Sequence, residues 1–266
     1  MIRLINSRDD FPYEDLAAIS VYRIYISVLV LLSVALLSEP LFAETPDELI
    51  TRGKLIFSDD FNRTEEGDTI EKLGNGWETN SEDGNRADLQ DDTLVIMKGE
   101  AASHSLSVRH VNPFDDGIVK IRFQLYDKYG LKVNFNDKGA DKVTWAGHVA
   151  RVVVQPDSVT IQDDITGVYD LNVRKRRLSK ELSSKEKDEL HAFLATKQKV
   201  IKTSIELETW HELTIVNRGP KIEVYLDDNA LGSFSSEGLD HQVKQNMALG
   251  VSGKVAVDDV RVWTLN

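Results

Sequence analysis

The stretch Trp210-His-Glu-Leu-Thr-Ile-Val216, followed by Lys221-Ile-Glu-Val-Tyr-Leu226 and closing on Lys254-Val-Ala-Val-Asp-Asp-Val-Arg-Val-Trp263, decides the fold of this chain. Its segments are rich in β-branched and aromatic residues, which suit a pleated, half-buried surface. Between them stand the turn formers Asn217-Arg-Gly-Pro220 and Asp227-Asp-Asn229. Side chains of these types bond their own backbone or tolerate a left-handed conformation. Trp210 to Trp263 thus reads as four short strands. Their spacing signals an antiparallel sandwich, not a parallel α/β sheet.

Upstream the strand period is plain. In Ile118 to Tyr126, Val119, Ile121, Phe123 and Leu125 point one way, while Lys120, Arg122, Gln124 and Tyr126 point the other. Gly130 to Asn136 repeats the scheme, with Leu131, Val133 and Phe135 against Lys132, Asn134 and Asn136. The two segments read as neighbours in the inner sheet of a sandwich, one side core and the other open to a ligand. Gly147 to Val154 and Ser158 to Gln162 form a hairpin around Pro156-Asp157. The pattern then breaks. Leu178 to Lys199 has a period near the helical one, with Leu190, Phe193 and Leu194 on one face. Ser183 and Glu186 are spaced as a capping box. The chain is therefore read as all-β with one helical insertion.

The order of a Trp-His strand, an Asp-containing hairpin and Asp-Asp-Val-Arg-Val-Trp263 resembles the C-terminal half of concanavalin A-like jelly rolls. These domains are shared by legume-type lectins, laminin-G modules and many secreted glucanases. The Asp59-Asp-Phe-Asn-Arg63 opening is a further mark of that group. Trp145-Ala-Gly-His148-Val-Ala-Arg151, followed by Gln162-Asp-Asp164, is similar to secreted bacterial proteins near the 3-keto-disaccharide hydrolase group. The resemblance runs over roughly residues 54–266. It implies a jelly-roll β-sandwich that binds or processes carbohydrate.

Ile24 to Leu37 is an apolar run with Arg23 before it and Leu41-Phe-Ala43 after it. A run of this length is short for a bilayer and matches a secretory signal over residues 1–43. A membrane anchor is the competing reading. The acidic first 20 residues suggest a start placed too far upstream. Cleavage would leave residues 44–266 as a single jelly-roll domain. Such a protein would be periplasmic or at the cell surface, with no stable membrane insertion once the signal is removed. There is no cysteine, which excludes thiol catalysis and Cys-based zinc sites and fits an exported domain with no need of disulfides. The net charge of −12 argues against nucleic acid as a partner. Against that background, residues 174–202 carry 10 Lys and Arg and 4 Asp and Glu. Either a basic helix docks on an acidic sandwich, or Arg174-Lys-Arg-Arg177 binds an anionic polysaccharide or lipopolysaccharide.

Catalytic motifs are scarce. The Glu-x-Asp-x-x-Glu pair of retaining glucanases is absent. The nearest approach, Glu223-Val-Tyr-Leu-Asp227, reads as a hairpin with Asp at the turn. The six histidines show no His-Glu-x-x-His, and neither Gly-x-Ser-x-Gly nor a phosphate loop occurs. The residues suited to a sugar are Arg122, Gln124, Asn134, Trp145, His148 and Arg151. An indole packs on a pyranose face and the polar groups donate to hydroxyls. His148 reads equally well as a core or edge histidine. Asp60 and Asp258 are candidate ligands for a structural calcium, with a solvated or Arg-paired edge as the alternative. Val257 and Val260 can share a face only across a bulge. The sequence thus points to glycan recognition on an open polar sheet face. A glycoside-cleaving enzyme of the 3-keto-disaccharide type is the alternative, and a structural envelope protein the third class.

Overall fold

The strands assemble because alternate apolar side chains need two facing sheets to bury them. The computed structural model describes residues 44–64, 72–79 and 86–265, and the expected signal segment 1–43 lies outside them. A short helix, α1 (Pro46–Arg52), opens the described chain. The first sheet contains β1 (Lys54–Asp59), β3 (Arg86–Gln90), β4 (Thr93–Met97), β6 (Gly117–Leu125), β11 (Trp210–Arg218), β12 (Lys221–Leu226), β13 (Asn229–Ser235) and β15 (Lys254–Thr264). The second contains β2 (Glu78–Thr79), β5 (Leu106–Phe114), β7 (Leu131–Asn136), β8 (His148–Gln155), β9 (Ser158–Asp163), β10 (Gln198–Lys202) and β14 (Lys244–Val251). Their orders are β13-β12-β11-β6-β15-β4-β3, with β1 also on β15, and β10-β9-β8-β7-β14-β5-β2. Every strand pairing is antiparallel. This is the all-β sandwich expected from the strand pattern.

Val119, Ile121, Phe123 and Leu125 of β6 and Leu131, Val133 and Phe135 of β7 are buried in one core cluster between the sheets. Full burial of each such side chain is worth roughly 1.5–3 kcal/mol, which is ample to specify which face of a strand turns inward. It does not specify the sheet. Contrary to expectation, β6 and β7 are not neighbours, because the chain crosses from one sheet to the other between them. Asp127 anchors the crossing, accepting from the backbone N–H of Tyr129 (2.8 Å) and of Lys254 (2.7 Å). Gly130 completes it at φ +67°, where a Cβ would strike the Val154 carbonyl.

Three further expectations are refined. Trp210 to Trp263 holds five strands, because Asn229–Ser235 and Lys244–Val251 pair as well. Asp227 and Asp228 form the two-residue β12–β13 turn with φ of 49° and 62°, the left-handed pair that a tight hairpin requires. The helical insertion is two helices, α2 (Leu171–Leu178) and α3 (Ser184–Thr196). Ser183 and Glu186 close the capping box of α3 as the spacing suggests, and Leu190 is its buried residue. The segment from Gln198 to Lys202, expected to continue the basic helix, is instead the edge strand β10, paired with β9. No helix among the described residues is long and apolar enough to cross a membrane.

Candidate functional site

The outward face of the second sheet gathers most of the candidate residues, and a bulge in β8 makes this possible. His148 and Arg151 are three positions apart, so a regular strand would send them to opposite faces. The register of β8 on β7 shifts between Ala150, opposite Phe135, and His148, opposite Asn136. Val149 and Ala150 are both buried, while His148 and Arg151 are both only partly covered. Register then lines up a polar row across the strands. Asn134 lies opposite Arg151, Arg151 opposite Gln162, and Gln162 opposite Gln198. The Arg151 Nε donates to Gln162 Oε1, and Gln162 Nε2 donates to Gln198 Oε1 at 2.6 Å. Asn134 donates to the carbonyls of Ala248 (3.1 Å) and Lys132 (3.3 Å).

An aromatic wall stands at one end of this row. Buried Thr144 donates its hydroxyl to the carbonyls of His148 (2.8 Å) and Tyr169 (3.2 Å), fixing the two segments side by side. Between Trp145 and His148 the backbone turns left-handed at Ala146 and Gly147. Gly147 is required there, since a Cβ would collide with the Asp137 carbonyl. His148 stacks on Tyr169 at 4.2 Å and 17° between planes. Trp145 lies nearly parallel to both, at 5.9 and 5.7 Å, and remains 44% exposed. The Arg151 guanidinium sits 5.0 Å from the Tyr169 ring centre, and that of Arg174 sits 4.7 Å over Trp145.

Beneath the row, Asp164 is fully buried with Arg151 Nη2 at 3.0 Å from Oδ1. The two make an ion pair out of hydrogen-bonding alignment, so both carboxylate oxygens lack a well-aligned donor. Burial pushes the Asp164 carboxyl up to about 7, against the pull of Arg151. Burial likewise pushes His148 down to about 4, with the Arg151 charge adding to it, and its Nδ1 is a buried atom without a partner. At pH 7 the imidazole is neutral. A cavity of about 170 Å³ opens on the far side of Arg151, lined by Arg151, Gln162, Asp163, Val168, Leu194, Lys197 and Gln198.

Four of the six sequence candidates, Asn134, Trp145, His148 and Arg151, are thus brought together. Arg122 and Gln124 are not. They lie on β6 in the opposite sheet, facing away from the core there. Arg122 pairs with Asp258 at 2.9 Å and lies 4.6 Å over the Trp210 ring, and Gln124 accepts from the Tyr126 hydroxyl at 2.8 Å. Their assignment to the same face as Asn134 failed because alternation tells face from face but not sheet from sheet. Asp258 is therefore committed to an arginine. The register of β15 does shift between Asp258 and Arg261, leaving Val257 and Val260 both buried. Asp259 at this bulge, with φ 51°, shares with Asp60 a cleft of about 530 Å³ that also contains Arg63 and Arg261. Among the described residues no group of three or more His, Asp or Glu is gathered as metal ligands.

Tyr169, Gln198 and Lys197 escaped the sequence reading. Tyr169 arrives on the 164–170 loop, held by Trp145 N–H donating to its carbonyl at 2.8 Å and its own N–H donating to Asp164 at 3.1 Å. No periodicity marks such a loop. For Gln198 the adjacent β-branched Val200-Ile201 was a usable strand signal, masked by the lysines around it.

No protein-family model and no curated protein matches the sequence. Solved structures do resemble the fold. The carbohydrate binding module CBM66 from Bacillus subtilis superposes with a TM-score of 0.45 at 13% identity, over 71% of this chain and 94% of its own. A laminarinase from Flavobacterium sp. gives 0.49 at 14%, over 79% and 100%. A GlcNAcα1-4Gal-releasing endo-β-galactosidase from Clostridium perfringens gives 0.51 at 12%, over 79% and 62%. At these identities the likeness is one of fold alone, that of a jelly-roll β-sandwich.

Proposed function

We propose that this chain is an exported carbohydrate-binding sandwich whose glycan site is the Asn134–Arg151–Gln162–Gln198 row against the Trp145–His148–Tyr169 wall. The observation that carries the reading is that juxtaposition. A sugar ring has an apolar CH face and a rim of hydroxyls. The aromatic wall suits the first, and the amides and guanidinium of the row suit the second. A neutral His148 can accept from a hydroxyl as well as donate to one. The endo-β-galactosidase of like fold acts on a glycan, which supports the ligand class without naming a sugar. A glycan array followed by titration calorimetry tests the reading. Trp145→Ala and His148→Ala should each weaken binding about tenfold, or ~1.4 kcal/mol, with melting temperature changed by only a few degrees. Unchanged affinity in both variants refutes the site.

A second reading, cleavage of a 3-keto-disaccharide, is favoured by Asp164. A carboxyl held near 7 is poised for proton transfer at neutral pH. In that reaction a base takes the C–H proton next to the keto group and the glycosidic oxygen leaves with its bonding pair and is protonated; Asp164, fully buried under Arg151, could serve only if Arg151 is displaced by the substrate. Asp164→Asn should then abolish turnover of a 3-keto-disaccharide while preserving binding. A wild-type protein that binds but never turns it over removes this reading.

A further inference from the structure

The sugar site as described leaves the cations of α2 without a role. We propose that its ligand is an acidic polysaccharide, bearing carboxylate or sulfate groups, and that Arg174, Lys175 and Arg177 form the anion-binding rim. The inference rests on the glycan reading above and adds the charge class of the ligand. Three observations carry it. First, α2 buries none of its own residues, so docking of the helix does not account for its exposed cations. Lys175, Arg176 and Arg177 are exposed, and α2 contains no acidic residue.

Second, these cations lack carboxylate partners where partners are plentiful. The chain has 44 Asp and Glu against 32 Lys and Arg. Elsewhere the described basic residues are often paired: Lys120 with Glu212 at 2.7 Å, Lys197 with Glu237 at 2.6 Å, Arg261 with Asp259 at 2.6 Å. Three of the carboxylates near α2 are committed elsewhere. Asp170 caps the helix, accepting from the N–H of Asn172 and Val173 at 2.9 Å. Glu186 is engaged by Ser183 in the α3 capping box, with Arg176 as a nearby charge. Asp164 lies under Arg151. No ion pair to Arg174, Lys175 or Arg177 occurs among the described residues.

Third, the cluster joins the sugar site physically. The Arg174 guanidinium lies over the Trp145 ring, so a group approaching the indole from that side meets a planar cation. An arginine placed over an aromatic face can keep N–H edges available for bidentate bonds to carboxylate or sulfate. The neighbouring Asn134, Gln162 and Gln198 make this face amide-rich and give a bilayer no apolar surface to insert against. That favours a polysaccharide over a lipid membrane.

The test compares binding of the purified protein to a polyuronate, to the same polymer after carboxyl reduction, and to vesicles of anionic phospholipid. The polyuronate should bind at least tenfold more tightly than its reduced form, and affinity should fall as salt is raised. The Lys175→Gln/Arg177→Gln pair should weaken polyuronate binding about tenfold and leave the reduced polymer unaffected, and Arg174→Gln should weaken polyuronate binding at least tenfold more than that of the reduced polymer. Arg174→Lys should recover part of the loss, since it restores the charge but not the fork. Equal binding of the two polymers overturns the charge inference and leaves the glycan site standing. Binding to vesicles but to neither polymer overturns both, as does binding to none of the three.

Discussion

Asp164 and His148 should pull the stability of this protein in opposite directions over the same pH range. Burial raises the Asp164 carboxyl from 3.8 to about 7. Between those values the folded state holds a proton that the unfolded state has released, so stability falls as pH rises. At about 1.4 kcal/mol per pH unit, the loss approaches ~4 kcal/mol by pH 7. Burial lowers His148 from 6.5 to about 4. There the unfolded state holds the extra proton, so stability rises with pH, by up to ~3 kcal/mol between pH 4 and 6.5 on the same scale. In the wild type the two slopes largely cancel from pH 4 to 6.5. Removing one exposes the other. Urea unfolding of wild type, Asp164→Asn and His148→Phe, at half-unit steps from pH 4 to 8, reads both; Phe retains the stack on Tyr169 without titrating. Stability of wild type minus Asp164→Asn should decline with pH up to about 7, and that of wild type minus His148→Phe should climb with pH and level off near 6.5. Difference curves flat within error, or with reversed slopes, would refute the assignment of both groups to buried positions around Arg151.

Two further outcomes are expected. Gly238 follows the Ser236 hydroxyl that donates to Asp163, and its own N–H donates to Asp163 at 3.2 Å. A Cβ there would be driven into Asp163 Oδ1 and to 2.6 Å from Ile165 Cγ2; Gly238→Ala should therefore cost ~1–3 kcal/mol by urea unfolding, and an unchanged midpoint would show that the Asp163 clamp is slack. Export should leave Glu44 as the first residue of the protein recovered from the periplasm or medium, checked by intact mass; a full-length species held in the inner membrane would contradict it.

Much of the sandwich was legible because its strands bury one face, and a buried face writes a two-residue period into the sequence. Val119, Ile121, Phe123 and Leu125 are the clearest case. Even a bulge could be foreseen, since Val257 and Val260 are both apolar at a spacing no regular strand can bury. What periodicity does not record is partnership. The segment between Leu125 and Leu131 has the length of a hairpin loop but carries the chain from one sheet to the other, with Asp127 bonded to the β15 backbone at Lys254. That change of sheet separates Arg122 and Gln124 from Asn134. The site was half legible for the same reason. Trp145, His148 and Arg151 are close in sequence and announce one another, whereas Tyr169 and Gln198 reach the site through backbone bonds and a strand pairing that no local pattern encodes.

The α2–α3 excursion is moored at both ends. Before α2, the 163–170 turn is tied down through Thr166 on Asp163, Tyr169 N–H on Asp164 and Leu171 N–H on Val143. After α3, Lys197 alone separates the helix from β10, and its ammonium is bound to Glu237 at 2.6 Å. The segment is thus fixed to the sandwich at both of its roots. Its walls exist before any ligand arrives, so association need not await a rearrangement. If the proposed glycan binds there, the freedom surrendered belongs chiefly to the incoming chain and its bound water, so a stiffer chain should bind more tightly.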